Sequence, residues 1–174
     1  PVMSRGLGDV YKRQVKDSGV KTFIIHARKG ILKGLSPRQN RNIPPLNYQK
    51  VYSIKDDFPE LEIIINGGIK NISEAKNHLN FVDGVMLGRA AYDDPFMLSD
   101  IDSEIYANTK IEISRKDLLT EYLDYVHLMT KKGYDPKIML KHLFGLKKGE
   151  KDAKRFRVKV AEIMNSSSLV ENKD

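Results

Sequence analysis

The chain has 174 residues, of which 40% are hydrophobic, none is cysteine, and the formal net charge is +7. That length suits one ordinary domain or a small domain with an appendage, and it is too short for a complete eight-stranded α/β barrel of about 250 residues. The composition excludes a disulfide framework, a thiolate metal site and a cysteine nucleophile, and no apolar run approaches a membrane span. The chain therefore reads as a soluble, cytoplasmic protein with no membrane partner and no metal.

Residues 1–14, PVMSRGLGDVYKRQ, show neither helical nor strand periodicity. They resemble translated sequencing-adapter sequence and read as a non-native leader, set apart from the fold. Val15 to Gly19 reads as the end of a helix, with Gly19 just past its last turn. Val20 to His26 is rich in β-branched and aromatic residues and predicts a strand that presents His26 at its C-terminal end. A lone histidine there is commonly a satisfied structural residue, but in parallel sheets this edge is also where ligands bind.

The connection Gly30 to Leu46 is long for a βα loop and carries Lys33, Arg38 and Arg41 without an acid. Asn47 caps the next helix, whose Val51, Ile54 and Phe58 face inward until Pro59 stops it. The stretch Glu60 to Tyr92 then organises the chain. Leu61 to Ile65 is an apolar run leading into Asn66-Gly67-Gly68, and Val82 to Leu87 is a second, leading into Gly88-Arg89. Between them Asn71 and Glu74 have the spacing of a capping box, with Ala75 and Leu79 on one face of the helix that follows. A strand, a capped helix and a strand make a βαβ unit of a parallel sheet. Bare glycine backbone at two successive strand ends can cradle a phosphate, because no Cβ stands in the way. Tight βα turns alone would equally explain Gly67, Gly68 and Gly88.

After Tyr92 the pattern becomes helical, with Ser99 to Lys110 a polar connector. Ser114 and Asp117 form another capping-box pattern, opening a helix with Leu118, Leu119, Tyr122, Val126 and Met129 at helical spacing before Gly133. Asp135-Pro136 starts a helix that runs to Gly145. A third spans about Glu150 to Met164, with Phe156, Val160 and Ile163 inward and Lys151, Lys154, Arg155, Arg157 and Lys159 on the other face. From Lys131 to Lys159 there are eleven Lys/Arg against three acids, a local excess of +8. Charge clustered in this way favours a nucleic-acid surface over diffuse solubilisation.

Several blocks resemble the tRNA-dihydrouridine synthases, A-type subfamily. They are His26-Ala27-Arg28-Lys29, Gly34-Leu35-Ser36-Pro37, Asn40-Arg41, Ile43-Pro44-Pro45-Leu46, Asn66-Gly67-Gly68-Ile69, Asp83-Gly84-Val85-Met86 and Gly88-Arg89-Ala90. In the C-terminal part the matching residues are His142, Gly145-Leu146, Ala153-Lys154 and Phe156-Arg157. The resemblance implies an FMN-containing (β/α)8 barrel followed by a helical domain, which reduces a uridine of the tRNA D-loop with NADPH as reductant. By position it assigns His26, Asn66, Gly67, Gly68, Gly88 and Arg89 to the flavin, and Arg38, Arg41, Lys154 and Arg157 to tRNA. The family's proton-donor cysteine has no counterpart here, so no residue of this chain is assigned a catalytic role and the chain is expected to be inactive alone.

The expected fold class is α/β: the last three βα units of a TIM barrel, then a small all-α domain. The expected division is a leader at 1–14, a partial barrel with a flavin-phosphate half-site at 15–98, a helical tRNA-binding domain at 99–164 and a disordered tail at 165–174. Two other readings compete. A different FMN-binding barrel oxidoreductase would explain Asn66-Gly67-Gly68 and Gly88-Arg89 but not the Gly34-to-Arg41 block. A non-catalytic RNA-binding module would explain the basic helix.

Overall fold

The computed structural model describes residues 19–31, 33–110 and 112–166. The leader, the helix read at Val15 to Ser18 and residues 167–174 lie outside the described residues. Contacts divide the chain after Leu87 into two compact units, whereas the sequence reading placed its boundary after residue 98.

The first unit is α/β. Its sheet has three parallel strands in chain order, β1 (Thr22–His26), β2 (Glu62–Asn66) and β3 (Gly84–Met86). Successive residues of a strand face opposite sides, and the register aligns Ile24 with Ile64 and Gly84, and His26 with Asn66 and Met86. On one side Ile63 and Ile65 are wholly buried, together with Val51 of α2 (Tyr48–Asp57) and Ala75 of α3 (Ile72–Leu79). The other side carries Ile24, which is 57% exposed, and the exposed Met86. One face is thus a helix-covered core and the other is the face on which His26 and Asn66 stand.

The helices begin where short polar side chains satisfy their first N–H groups. Asn47 accepts from Lys50 N and Asn71 from Glu74 N, both at their helix starts. The Glu74 carboxylate returns to Lys70 N–H at 2.8 Å and to Asn71 Nδ2 at 3.2 Å, so the backbone half of the box closes one residue earlier than its spacing predicts. At the N-terminal edge of the sheet, Lys55 Nζ lies 2.7 Å from Asp83 Oδ2 and donates to the carbonyls of Pro59 and Leu61. Asp83 also accepts from Ile63 N–H at 2.8 Å. Burial pushes the Asp83 carboxyl up, but the Ile63 and Lys55 hydrogen bonds and the lysine charge outweigh it and hold it below its ordinary value.

Among its described residues, the second unit has helices as its only regular elements. It comprises α4 (Arg89–Asp93), a 3₁₀ turn (Pro95–Asp100), α5 (Ile101–Glu104), α6 (Arg115–Lys131), α7 (Pro136–Leu140), a second 3₁₀ turn (Lys141–Gly145) and α8 (Ala153–Asn165). The connector read as merely polar therefore contains helical turns, and the helix expected to run from Asp135 to Gly145 tightens to 3₁₀ in its second half. The core is Val126, Leu140, Leu143, Leu146 and Val160, with Phe96, Leu118, Tyr122, Phe156 and Met164 packed against it. Ile163 was expected to face this core, but it is 47% exposed. Four-residue steps from Phe156 through Val160 lead to Met164, which takes the inward place. Asn165, expected to open the tail, is the last residue of α8.

Candidate functional site

The C-terminal edge of the sheet is built by the residues that follow each strand. Ala27 N–H donates to Asn66 O at 2.8 Å, extending the β1–β2 ladder by one rung, and Asn47 N–H donates to Ala27 O at 2.7 Å. Arg28 and Leu46 form an antiparallel bridge, and the Arg28 guanidinium donates to the Pro44 carbonyl. The end of the long loop is thereby stitched beside β1. On the exposed sheet face, His26 and Asn66 stand in one row on neighbouring strands, and Asn66 Nδ2 lies 3.3 Å from Met86 Sδ.

Gly67 and Gly68 turn the chain away from β2 with φ of +120° and +75°, a region that favours glycine. A Cβ on Gly67 would lie 3.1 Å from His26 Cε1 and 3.1 Å from Leu46 Cδ2, and one on Gly68 would lie 2.5 Å from Leu46 Cδ1. Both glycines are needed for conformation and for close approach to His26 and Leu46. The turn they make leaves bare backbone at the strand end, which is the geometry an anion cradle requires.

Behind this turn is a group of aromatic side chains that sequence reasoning missed. Tyr48 OH donates to the Gly67 carbonyl at 2.9 Å. Its ring meets His78 edge-on, with centroids 4.4 Å apart, and Tyr52 OH lies 2.6 Å from His78 Nδ1. Tyr52 in turn stacks on Phe81 at 4.5 Å. Burial lowers the His78 pKa, and the Glu74 charge opposes this in part. Burial raises the Tyr48 and Tyr52 phenols, aided by Glu74 at Tyr48 and by Tyr48 at Tyr52. All three groups are therefore neutral near pH 7. The available signal was the spacing of Tyr48 and Tyr52, one helical turn apart, and of Ala75 and His78 on the inner face of α3.

The long loop is less irregular than its sequence suggested. Pro37–Asn40 forms a short helix, α1, with Ser36 and Gln39 closing a capping box. Asn40 accepts from Ile31 N–H at 2.8 Å and donates back to the Ile31 carbonyl at 2.9 Å, clasping the loop across nine residues. Arg38 on this helix and Arg41 at its C-cap are both exposed.

In the second unit, Gly88 is the N-cap of α4 and Arg89 its first residue. Nothing lies within 4 Å of a Cβ built on Gly88, so that glycine is not imposed by crowding. On α8, Lys154 and Arg157 are exposed and three residues apart, on one side of the helix. Nearby acids are engaged internally: Asp152 and Glu150 pair with Lys147 at 2.7 and 3.4 Å, and Glu150 also pairs with Arg115 at 3.3 Å. Arg115 stacks on Phe96 at 4.1 Å and donates to the Leu146 carbonyl. It was not singled out from the sequence, where it reads as one more surface cation.

The family model described as Dihydrouridine synthase (Dus) matches residues 10–174. The chain belongs to the dihydrouridine synthase family. It is similar to the tRNA-dihydrouridine(20/20a) synthases of Pseudomonas putida (42% identical over 144 residues), Haemophilus ducreyi (44% over 140) and Synechocystis sp. (43% over 143). These alignments cover 83%, 80% and 82% of this chain and 43% of each relative. The chain thus spans less than half the length of the curated relatives it matches.

The Gly67-Gly68 turn fits an anion, since among the described residues no backbone carbonyl accepts from the Gly68 N–H. Among the described residues no cluster of three His, Asp or Glu could hold a metal ion, and no helix is long and apolar enough to cross a membrane.

Proposed function

We propose that the chain is the C-terminal portion of an FMN-dependent tRNA-dihydrouridine synthase, comprising the last three βα units of a (β/α)8 barrel and a helical tRNA-binding region. The observation that carries this reading is the glycine turn at the C-terminal end of β2, pressed against His26, in a chain of the dihydrouridine synthase family. The name of the relatives, tRNA-dihydrouridine(20/20a) synthase, supplies the proposed product, dihydrouridine at those positions of the D-loop.

In this reading Asn66, Gly67 and Gly68 hold the flavin phosphate and His26 contacts the flavin from the exposed sheet face; the family resemblance assigns Gly88 and Arg89 to the same cofactor. Bound FMN, recharged by NADPH, supplies the hydride that saturates the uracil C5=C6 bond. Arg38 and Arg41 hold tRNA phosphates from the clasped loop, and Lys154 and Arg157 do so from α8. With no cysteine in the sequence, the proton donor that the family resemblance implies is supplied from outside these residues.

The test separates RNA binding from flavin binding in a full-length synthase carrying this segment. Replacing Lys154 and Arg157 together by Ala is expected to weaken tRNA binding and lower its salt slope by about two units, with flavin content unchanged. Arg89→Ala is expected to lower flavin occupancy first. Unchanged affinity and slope in the double variant would show those two cations to be an ordinary solvated helix face.

A further inference from the structure

We propose that Tyr48 is a positioning residue that aims the Gly68 N–H for phosphate, through its hydrogen bond to the Gly67 carbonyl. The inference deepens the flavin-phosphate reading above and rests on it.

In a trans peptide the C=O and the N–H of the same unit point in opposite directions. The described chain has no cis peptide bond, so the orientation of the Gly67 carbonyl fixes that of the Gly68 N–H. Tyr48 OH donates to this carbonyl at 2.9 Å from the helix side of the turn. The Gly68 N–H is thereby turned away from Tyr48 and from the aromatic group behind it. Two adjacent glycines need such a restraint more than any other pair, because each can populate positive and negative φ with little penalty. Without an external anchor, the Gly67–Gly68 peptide is free to rotate as a unit.

Tyr48 is itself held. Its ring packs edge-on against His78, whose Nδ1 lies 2.6 Å from Tyr52 OH, and Tyr52 stacks on Phe81. The phenol is carried on the first residue of α2, immediately after the Asn47 cap, so the helix start also fixes its backbone. Among the described residues, no backbone carbonyl accepts from the Gly68 N–H. A donor held in one direction by a half-buried phenol is preorganised for an anion, and it costs little ordering when the anion binds.

The experiment compares FMN with riboflavin, which lacks the phosphate, by fluorescence titration of a full-length synthase carrying this segment. Tyr48→Phe keeps the ring and removes only the hydroxyl. Tyr52→Phe removes a hydroxyl from the same aromatic group without touching Gly67. The parent is expected to prefer FMN. In Tyr48→Phe that preference is expected to fall about tenfold with riboflavin affinity unchanged, the effect of mis-aiming one hydrogen bond to a charged group, whereas Tyr52→Phe keeps it. An undiminished preference in Tyr48→Phe, or an equal loss in both variants, would overturn the role of Tyr48 while leaving the phosphate reading standing. A parent that binds both ligands equally would overturn the phosphate reading and this inference with it.

Discussion

At Gly68 a methyl group would meet Leu46 Cδ1 at 2.5 Å and impose a side chain on a φ of +75°. Both effects are unfavourable, so Gly68→Ala is expected to destabilise the first unit by about 1–3 kcal/mol. Gly88→Ala meets nothing within 4 Å and has negative φ, and it is expected to cost under about 1 kcal/mol. Urea unfolding of the two variants checks the contrast. The residue scale also carries a pH dependence. Burial holds the His78 pKa below 6.5, so the unfolded chain binds a proton there that the folded chain does not. Stability from this group is complete above about pH 6.5 and is lost as pH falls through the lowered value. Asp83, also held below its ordinary value, gives a separate loss at more acidic pH, below about 4. His78→Gln is expected to flatten the urea midpoint between pH 7 and 5 and to leave the more acidic loss in place. The glycine pair could be read from the sequence because residue type alone restricts the backbone conformations it allows there. Tyr48, Tyr52 and His78 could not, since their roles come from contacts between α2 and α3 that no local pattern encodes.

Helix starts were the most readable elements, because a cap is a local bond between residues two or three apart. Asn47, Asn71, Ser114 and Asp135 all cap where their spacing predicts. In α6 the box is reciprocal: Ser114 Oγ accepts from Asp117 N–H at 3.1 Å, and the Asp117 carboxylate accepts from Ser114 N–H and Oγ. Ser114→Ala removes both side-chain contributions and is expected to cost about 1 kcal/mol, read as a shift in the unfolding midpoint of the second unit. Strand lengths were less readable. The apolar run from Val82 to Leu87 yields only Gly84–Met86 as strand, because Val82 is buried in the turn from α3 and Leu87 lies beyond the last register pair. The short helix in the long loop was missed although Ser36 and Gln39 have capping-box spacing, since Pro37-Arg38-Gln39-Asn40 has no apolar periodicity to accompany it. Gly145 is a close-approach residue that spacing could not reveal. A Cβ there would lie 2.7 Å from the Asp93 carbonyl oxygen, a backbone atom that cannot give way cheaply.

For the molecule as a whole, charge distribution was the most informative global property. The +8 excess between Lys131 and Lys159 falls on the helical unit, where Glu150 and Asp152 are drawn into pairs with Lys147 and Arg115 and α8 presents Lys154, Arg155, Arg157 and Lys159 to solvent. The flavin half of the account rests on a parallel sheet whose C-terminal edge carries His26, Asn66 and the glycine turn. The most direct test is the modified nucleoside itself. A full-length synthase carrying this segment, produced in cells lacking their own dihydrouridine synthases, is predicted to restore dihydrouridine at positions 20 and 20a of tRNA, read by mass spectrometry of tRNA fragments. A protein purified with stoichiometric flavin from cells whose tRNA still lacks dihydrouridine at those positions would contradict the account.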